Sequence, residues 1–227
     1  MTMKTNIRMG CDERKAQILA AVRRVFARKG FEGATSRELA KEAGISEALM
    51  FRHFPNKEKL YHAMASQCAA PFDEEFARIA ALDPSTSTLI HIVHFIASIL
   101  IRIPGHPERE NIIRIFVRNL TEDGTISRSL HQQRIKVVMA KLEESIKAAL
   151  DSGDIIDNPV PLARRAYFSD RLSFMLMLNY LPATPLADLG PKDELVKDAV
   201  WFTLRGIGLK EEVIKRIYNP KALALPR

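Results

Sequence analysis

Residues 46–57, which read SEALMFRHFPNK, combine charged, polar and apolar side chains at a spacing that can line one face of a helix. Arg52 has donors that fit the edge of guanine or a phosphate, and Glu47 has acceptors that fit the amino group of cytosine. Ala48 and Leu49 can contact the methyl group of thymine. This mixture predicts a surface that reads DNA, provided that the neighbouring elements hold it as an exposed helix.

The elements before this stretch carry the signals of two short helices joined by a tight turn. Thr35 and Glu38 form a capping box, in which the Thr35 hydroxyl accepts the Glu38 backbone N–H and the carboxylate reaches back. Gly44 supplies the turn, because a left-handed backbone costs little for a residue without Cβ. Ser46 caps the third helix. The arrangement predicts a helix–turn–helix, a unit that presents its second helix to the major groove.

Two further helices are expected to complete this domain. A first helix is predicted for residues 12–30, where Gly30 ends the helix and Phe31 folds back onto it. Pro55 ends the third helix, and Asn56 caps the fourth, which brings Lys57 and free backbone N–H groups towards a phosphate. The apolar face of the first helix consists of Ile18, Leu19, Val22, Val25 and Phe26.

The positive charge of the chain is concentrated in its first quarter. Residues 1–60 contain 13 Lys and Arg against 7 Asp and Glu, whereas residues 61–227 contain 21 against 20. This asymmetry is typical of a basic DNA-binding domain attached to a neutral one. A hydrophobic content of 47% is sufficient for a buried core.

The sequence also indicates the cellular compartment of the protein. Cys11 and Cys68 lie far apart without a metal-like spacing, which fits a reducing environment. The N-terminus lacks the apolar core of a signal peptide. The longest apolar stretch, residues 89–103, is interrupted by polar side chains and is too short to cross a bilayer. We therefore expect a cytoplasmic protein without a membrane partner.

Beyond the helix–turn–helix the helical pattern continues, and no segment shows the sustained alternation of a strand. We expect an all-α fold with a flexible basic arm at 1–11, a helix–turn–helix domain at 12–60, and a larger helical domain at 61–227. The later helices are predicted near residues 72–82, 86–103, 107–121, 126–151, 160–181, 191–207 and 210–218.

The ordered positions from Gly30-Phe31 through Ala43-Gly44-Ile45-Ser46 to His53-Phe54-Pro55-Asn56-Lys57 resemble the N-terminal domain of tetracycline-repressor (TetR) family transcription regulators. The resemblance covers residues 12–61, and the remainder matches only as a larger all-helical domain of the expected length. It implies a homodimer that binds a pseudo-palindromic DNA operator. It also implies that residues 61–227 bind a small effector and form the dimer interface.

The resemblance and the exposed face together select the residues expected to contact DNA. Two of them depart from the family pattern: Phe51 stands where a Tyr that bonds the DNA backbone is usual, and Leu49 replaces a small or hydroxylated residue. The docking is therefore expected to follow the family, and the base code to be particular to this chain. The expected DNA-contacting residues are Thr35, Ser36, Ser46, Glu47, Ala48, Leu49, Phe51, Arg52, His53 and Lys57.

An effector pocket is expected among aromatic, Met and His residues of the later helices, because such side chains form adaptable apolar walls. Phe168 is a further candidate, and a Met and Phe stripe at helical spacing is equally typical of an ordinary core. The pocket residues are His91, His94, Phe95, Phe116, Met139, Phe174, Met175 and Met177. The dimer interface is expected at residues 160–181 and 191–207, with Leu172, Leu176, Leu195, Ala199, Trp201 and Phe202.

Two alternatives for polar residues of the larger domain stay open. His91 and His94 have a spacing that can hold a metal, but without an evident third ligand we expect no metal and no other cofactor. A satisfied core histidine or a polar contact to an unknown ligand is expected instead. Arg102, Arg114 and Arg118 either meet an anionic effector or form ordinary surface and internal ion pairs.

The prediction for function is a ligand-responsive, sequence-specific regulator, most often a repressor in this family, released from its operator by a small apolar effector. A DNA-binding protein that needs no effector, such as a nucleoid or division factor, is the principal alternative. A helical enzyme or ligand carrier is disfavoured, because the sequence has no nucleophile–base cluster in a motif context and no Gly-rich phosphate loop. We therefore expect no enzymatic activity.

Overall fold

The computed structural model describes residues 11–69, 73–122, 124, 127–128, 135–156 and 158–223. Within them the regular secondary structure is helical, apart from one isolated bridge between Ile155 and Leu209, which confirms the all-α prediction. The helices are α1 (Cys11–Gly33), α2 (Ser36–Glu42), α3 (Glu47–His53), α4 (Lys57–Ala69), α5 (Asp73–Ala80), α6 (Thr86–Arg102), α7 (Pro107–Thr121), α8 (Lys136–Asp151), α9 (Leu162–Leu178), α10 (Lys192–Ile207) and α11 (Glu211–Ile217).

Several predicted segments differ from the observed ones at their ends, among them the flexible arm and the helix at 126–151. Cys11, assigned to the flexible arm, is the first residue of α1, and residues 1–10 of that arm lie outside the described residues. The later part of the helix predicted at 126–151 corresponds to α8, which begins at Lys136. Residues 127–128 are also helical, and residues 126 and 129–134 lie outside the described part.

The chain forms two compact units. The first contains residues 1–71 and 111–129, and the second contains residues 72–110 and 130–227. The boundary predicted at residue 60 therefore falls inside α4. The physical reason is that Leu60, Tyr61 and Met64 of α4 are buried with the apolar face of α1, which α4 contacts.

In the first unit, α1 supplies the surface on which α2 and α4 pack. Its helical conformation is interrupted at Gly30, where φ is 73° and ψ is −177°. Phe31 then returns to the core, with its ring centroid 6.5 Å from that of Phe26 and 5.1 Å from that of Tyr61. The predicted apolar face is confirmed, since all five of its residues are buried: Ile18, Leu19, Val22, Val25 and Phe26.

In the second unit, α6 is the central helix. It contacts α8, α9, α10 and α11, and most of its side chains are buried, as its apolar sequence predicts. None of the helices described has the length and apolar character needed to cross a membrane.

Candidate nucleic-acid interface

The start of α2 is fixed by a network around Glu38. The Thr35 hydroxyl accepts the Glu38 backbone N–H at 3.3 Å, and the Glu38 carboxylate accepts the Thr35 backbone N–H at 3.3 Å, which is the predicted capping box. Lys29 of α1 donates to the other carboxylate oxygen. The hydrogen bond from Lys29, followed by those from Thr35, lowers the pKa of Glu38 from 4.5 to about 2. The network joins the end of α1 to the start of α2.

The turn between α2 and α3 has the predicted form. Gly44 has φ 67°, and its N–H donates to the Lys41 carbonyl at 3.1 Å. The Ile45 N–H donates to the Ala40 carbonyl at 3.0 Å. Ser46 follows in an extended conformation, and its Oγ accepts the Leu49 N–H at 3.2 Å. Because the turn and the cap are both satisfied by hydrogen bonds, the direction in which α3 begins is fixed.

Helix α3 has a buried side and an exposed side. Met50 is fully buried, and Phe54 is buried immediately after the helix ends. On the other side, Glu47, Ala48 and Arg52 are exposed, whereas Leu49, Phe51 and His53 are half-buried. The exposed side therefore offers charged groups beside apolar ones, which is the combination that base-edge and methyl contacts require.

Lys57 lies at the start of α4 in a defined environment. The Asn56 Oδ1 atom accepts the Lys59 N–H at 2.8 Å, which confirms Asn56 as the cap of this helix. The Lys57 Nζ atom lies 4.4 Å from the centroid of the Phe31 ring. A cation over an aromatic face is attracted by the ring quadrupole, so the ammonium group has a preferred position.

The structure thus places the residues predicted to contact DNA at the starts of α2, α3 and α4 and along the outer side of α3. Thr35 and Ser46 are exposed residues whose hydroxyl groups also serve as helix caps, and Ser36 is half-buried. Whether each of these residues contacts DNA stays a prediction.

Two contacts in this unit were not predicted from the sequence. Arg24 of α1 pairs with Glu42 of α2 at 3.1 Å. The Cys11 Sγ atom lies 3.9 Å from the His53 Nδ1 atom, across 42 residues. No local pattern identifies partners at such separations, and only the packing of the helices brings them together.

In the second unit, His94 is a buried histidine with protein partners on both ring nitrogens. It is 2% exposed, its Nδ1 lies 3.1 Å from the Tyr218 hydroxyl, and its Nε2 lies 3.1 Å from the Ser98 hydroxyl. Burial, helped by the positive charge of Arg102, lowers the pKa of His94 from 6.5 to about 4. Burial also raises the pKa of Tyr218 to about 12. These contacts match the satisfied core histidine considered above, and His91 is half-buried.

The other residues predicted for the pocket do not form one group. Phe95 and Met177 are buried in the core of the second unit, and Met139 packs against that core. Met175 is 61% exposed and Phe174 is half-buried. Two positions along a helix rotate a side chain by about 200°, so Met175 cannot share the inner side occupied by Met177.

The positions of Phe116, Arg118 and Arg102 bear on whether these residues of α6 and α7 can take part in an effector pocket. Phe116 belongs to the first unit and not to the second, where the other candidates for the pocket lie. Arg118 donates to the carbonyl of Arg28 at 3.1 Å, and Arg102 pairs with Asp193 at 3.0 Å. These partners favour the alternative of ion pairs and internal hydrogen bonds for both arginines.

The residues predicted for dimerisation divide into buried and exposed groups. Ala199 lies in the core, and Leu195 and Trp201 pack against it, as does Leu176. Phe202, in contrast, is 71% exposed. The structure therefore places only some of the set where a second molecule can reach them.

Large apolar side chains are exposed on α9 and α10, which contact each other. Phe168 of α9 is 58% exposed, and it lines a cleft of about 230 Å³ together with Leu172, Phe202 and Thr203. Tyr167 and Met175 are also exposed on α9. We define these four exposed residues, Tyr167, Phe168, Met175 and Phe202, as the α9–α10 apolar surface. Exposed apolar patches are characteristic of protein–protein contact sites.

The first unit is similar in sequence to known proteins. The profile of bacterial regulatory proteins of the tetR family matches residues 18–64, which extend from α1 to α4. Over 78 residues the chain is 38% identical to the HTH-type transcriptional repressor AcnR of Corynebacterium diphtheriae. That alignment covers 34% of this chain and 41% of AcnR, so the chain matches less than half the length of this relative.

Two further similarities extend over more of the chain. The nucleoid occlusion factor SlmA of Marinomonas sp. is 27% identical over 147 residues, which cover 63% of this chain and 69% of SlmA. A crystal structure of AibR in complex with isovaleryl coenzyme A and operator DNA matches with a TM-score of 0.64 at 21% identity, covering 83% of this chain and 97% of that one. At that identity the likeness establishes a shared fold. Residues 18–64, which contain the helix–turn–helix, therefore match the tetR family of bacterial regulatory proteins, and the chain shares the fold of AibR over most of its length.

Proposed function

We propose that the protein is a homodimeric, sequence-specific DNA-binding regulator that represses transcription. The observation that carries the proposal is the exposed side of α3, where Glu47, Ala48 and Arg52 face outwards while Met50 anchors the opposite side in the core. A recognition helix requires this division, because its outer residues must reach base edges while its inner residues hold its direction.

In the proposed complex, α3 lies in the major groove and the neighbouring helix starts contact the backbone. Arg52 bonds a guanine edge or a phosphate, and Glu47 accepts from a cytosine amino group. Phe51 packs against sugar or methyl groups, since it lacks a hydroxyl. Lys57 and the backbone N–H groups of α4 contact a phosphate, as do Thr35 and Ser36 at the start of α2.

A homodimer follows from the size of the site and from the α9–α10 apolar surface. One short recognition helix contacts only a few base pairs, so two copies related by two-fold symmetry are needed for a selective operator. Phe202 and Phe168 are exposed in the single chain, and a second copy would remove both from water. We therefore assign dimerisation to this surface.

We also propose that a small, largely apolar effector binds in the second unit and weakens the complex with DNA. The support is the similarity of fold to AibR, whose structure was solved with isovaleryl coenzyme A. An effector changes DNA affinity only if it prefers one conformation of the dimer.

The test of DNA recognition is selection of duplexes from a random-sequence library by the purified full-length protein, followed by footprinting of the enriched sequence. The expected result is one sequence with two-fold symmetry and a footprint of two half-sites. Binding that is equally strong for enriched and unselected duplexes would contradict sequence-specific regulation.

The effector is tested on the same complex. Small carboxylic acids, their coenzyme A thioesters and planar apolar compounds are screened by thermal shift, and each compound that binds is titrated into the complex with the selected duplex. Release of DNA is the expected result. Binders that leave DNA affinity unchanged would contradict the repressor–effector mechanism.

A second candidate function is supported by the alignment with SlmA, which extends well beyond the helix–turn–helix. In this case the protein binds DNA without an effector and acts on chromosome organisation or division. Many binding positions along a chromosome, away from promoters, would favour this candidate, whereas a few promoter positions would favour the repressor.

A further inference from the structure

Lys57 does not project freely from the first unit. Its side chain is half-buried, and its Nζ atom lies 4.4 Å from the centroid of the Phe31 ring. The ring attracts the ammonium on one side and leaves its remaining N–H donors free for a phosphate. A long flexible side chain held in this way loses less conformational freedom when DNA binds.

The Phe31 ring is itself held in place. Its centroid lies 5.1 Å from that of Tyr61 and 6.5 Å from that of Phe26, and both of these residues are buried. Phe31 therefore joins the core of the first unit to the side chain of Lys57. Its ring cannot move away from the ammonium without disturbing those two contacts.

Arg118 of α7 holds the backbone immediately before Phe31. Its guanidinium donates to the carbonyl of Arg28 at 3.1 Å, and it lies so close to Gly30 that a Cβ there would be 2.3 Å from Arg118 Nε. Gly30 has φ 73°, a conformation that tolerates few other residues. Arg118, which is distant in sequence, therefore holds the turn that positions Phe31.

We propose that Phe31 and Arg118 are positioning residues for the contact between Lys57 and a DNA phosphate. Arg118 fixes the turn at Gly30, the turn sets the position of the Phe31 ring, and the ring holds the ammonium of Lys57. This inference rests on the proposed DNA-binding function. It adds that a residue outside the helix–turn–helix contributes to DNA affinity without touching DNA.

The test is a double-mutant analysis in the full-length protein, with a short fluorescein-labelled duplex of random sequence as the probe, because a phosphate contact does not depend on base sequence. Lys57→Met is expected to weaken binding and to reduce the slope of log affinity against log salt by about 1 per subunit. Phe31→Leu and Arg118→Met are each expected to weaken binding by about 2- to 5-fold in the wild-type background. In the Lys57→Met background, neither is expected to weaken it further.

Controls separate positioning from general destabilisation. Arg78→Met is the matched control. Arg78 is an exposed arginine of α5 that pairs with Glu74 one turn away, just as Arg118 pairs with Glu122 one turn away. This substitution should leave DNA binding unchanged. Phe31→Tyr keeps an aromatic face and should restore binding to within about 2-fold of the wild type. Circular dichroism during heating measures how much of each variant is folded at the assay temperature.

Three results would contradict either the positioning role or the proposed DNA-binding function. Additive losses, in which Phe31→Leu and Arg118→Met weaken binding equally with or without Lys57, would overturn the positioning role while leaving DNA binding intact. Wild-type affinity in Phe31→Leu and Arg118→Met would overturn it as well. Absence of binding by the wild-type protein to this probe and to any selected duplex would instead contradict the proposed function.

Discussion

The Ser46 Oγ atom accepts the backbone N–H of Leu49 at 3.2 Å, so the residue that begins the exposed side of α3 also caps that helix. These two roles can be separated by substitution. Ser46→Ala removes the cap and is expected to lower the free energy of unfolding by about 1 kcal/mol. Ser46→Asp keeps a side-chain acceptor and favours the helix dipole, so stability should stay at or above that of the wild type.

The same aspartate would stand next to DNA phosphates in the proposed complex. Ser46→Asp is therefore expected to weaken DNA binding by about 10-fold at low salt, with the loss reduced as salt screens the charge. Denaturant unfolding and fluorescence anisotropy measure the two effects. Ser66→Asp, an exposed position on α4, serves as the control. Equal DNA affinity in Ser46→Asp and wild type would show that Ser46 lies away from the phosphates.

His94 is expected to make stability depend on pH. Its pKa in the folded protein is about 4, below the 6.5 of an ordinary histidine, so the unfolded chain takes up the proton first. The stabilisation is fully present above pH 6.5 and is lost as the pH falls to 4 and below. The contribution of His94 to the free energy of unfolding should fall by about 3 kcal/mol over this interval.

This contribution is measured by denaturant unfolding of wild type and His94→Gln across the interval. The glutamine variant is less stable near neutral pH, but its stability should decline less on acidification because no buried imidazole has to be protonated. His62→Gln, at an exposed position, should keep the pH dependence of the wild type. Parallel curves for wild type and His94→Gln would refute the assignment.

The α9–α10 apolar surface is expected to mediate dimerisation. Because the Phe202 side chain is 71% exposed in the single chain, Phe202→Glu should leave the subunit folded. In a dimer the introduced carboxylate would be buried without a partner, so the mass in solution should fall to that of one chain. Size-exclusion chromatography with light scattering measures this mass.

Leu120→Glu is the matched control, because Leu120 is an exposed apolar residue of the first unit. It should stay dimeric. If Phe202→Glu also kept the mass of two chains, the dimer interface would have to lie elsewhere.

The features that could be predicted from the sequence depend on hydrogen-bond partners that lie close together along the chain. The bonds between Thr35 and Glu38 and between Ser46 and Leu49 span three residues each, so residue type and spacing specify them. The contact of Lys57 with Phe31 depends on the packing of α1 against α4, and no local pattern contains that information.

The apolar residues of the second unit show a further limit to pattern reasoning. Met175 and Met177 belong to one apolar stripe in the sequence, yet Met177 is fully buried and Met175 is exposed. A helix that packs on the core on one side and offers an apolar surface on another has no single hydrophobic face. Composition therefore could not distinguish pocket, core and interface residues on α9.

Arg52 is exposed on the outer side of α3, so its substitution tests whether this side of the helix reads DNA. Binding of wild type and Arg52→Ala to the duplex selected by the wild-type protein is measured across a range of salt concentrations, with Arg164→Ala, exposed on α9, as the control. Arg52→Ala is expected to lose about 1 to 3 kcal/mol of binding free energy per contact, whereas Arg164→Ala binds as the wild type does. Unchanged affinity and unchanged salt dependence in Arg52→Ala would contradict the assignment of α3 to the major groove.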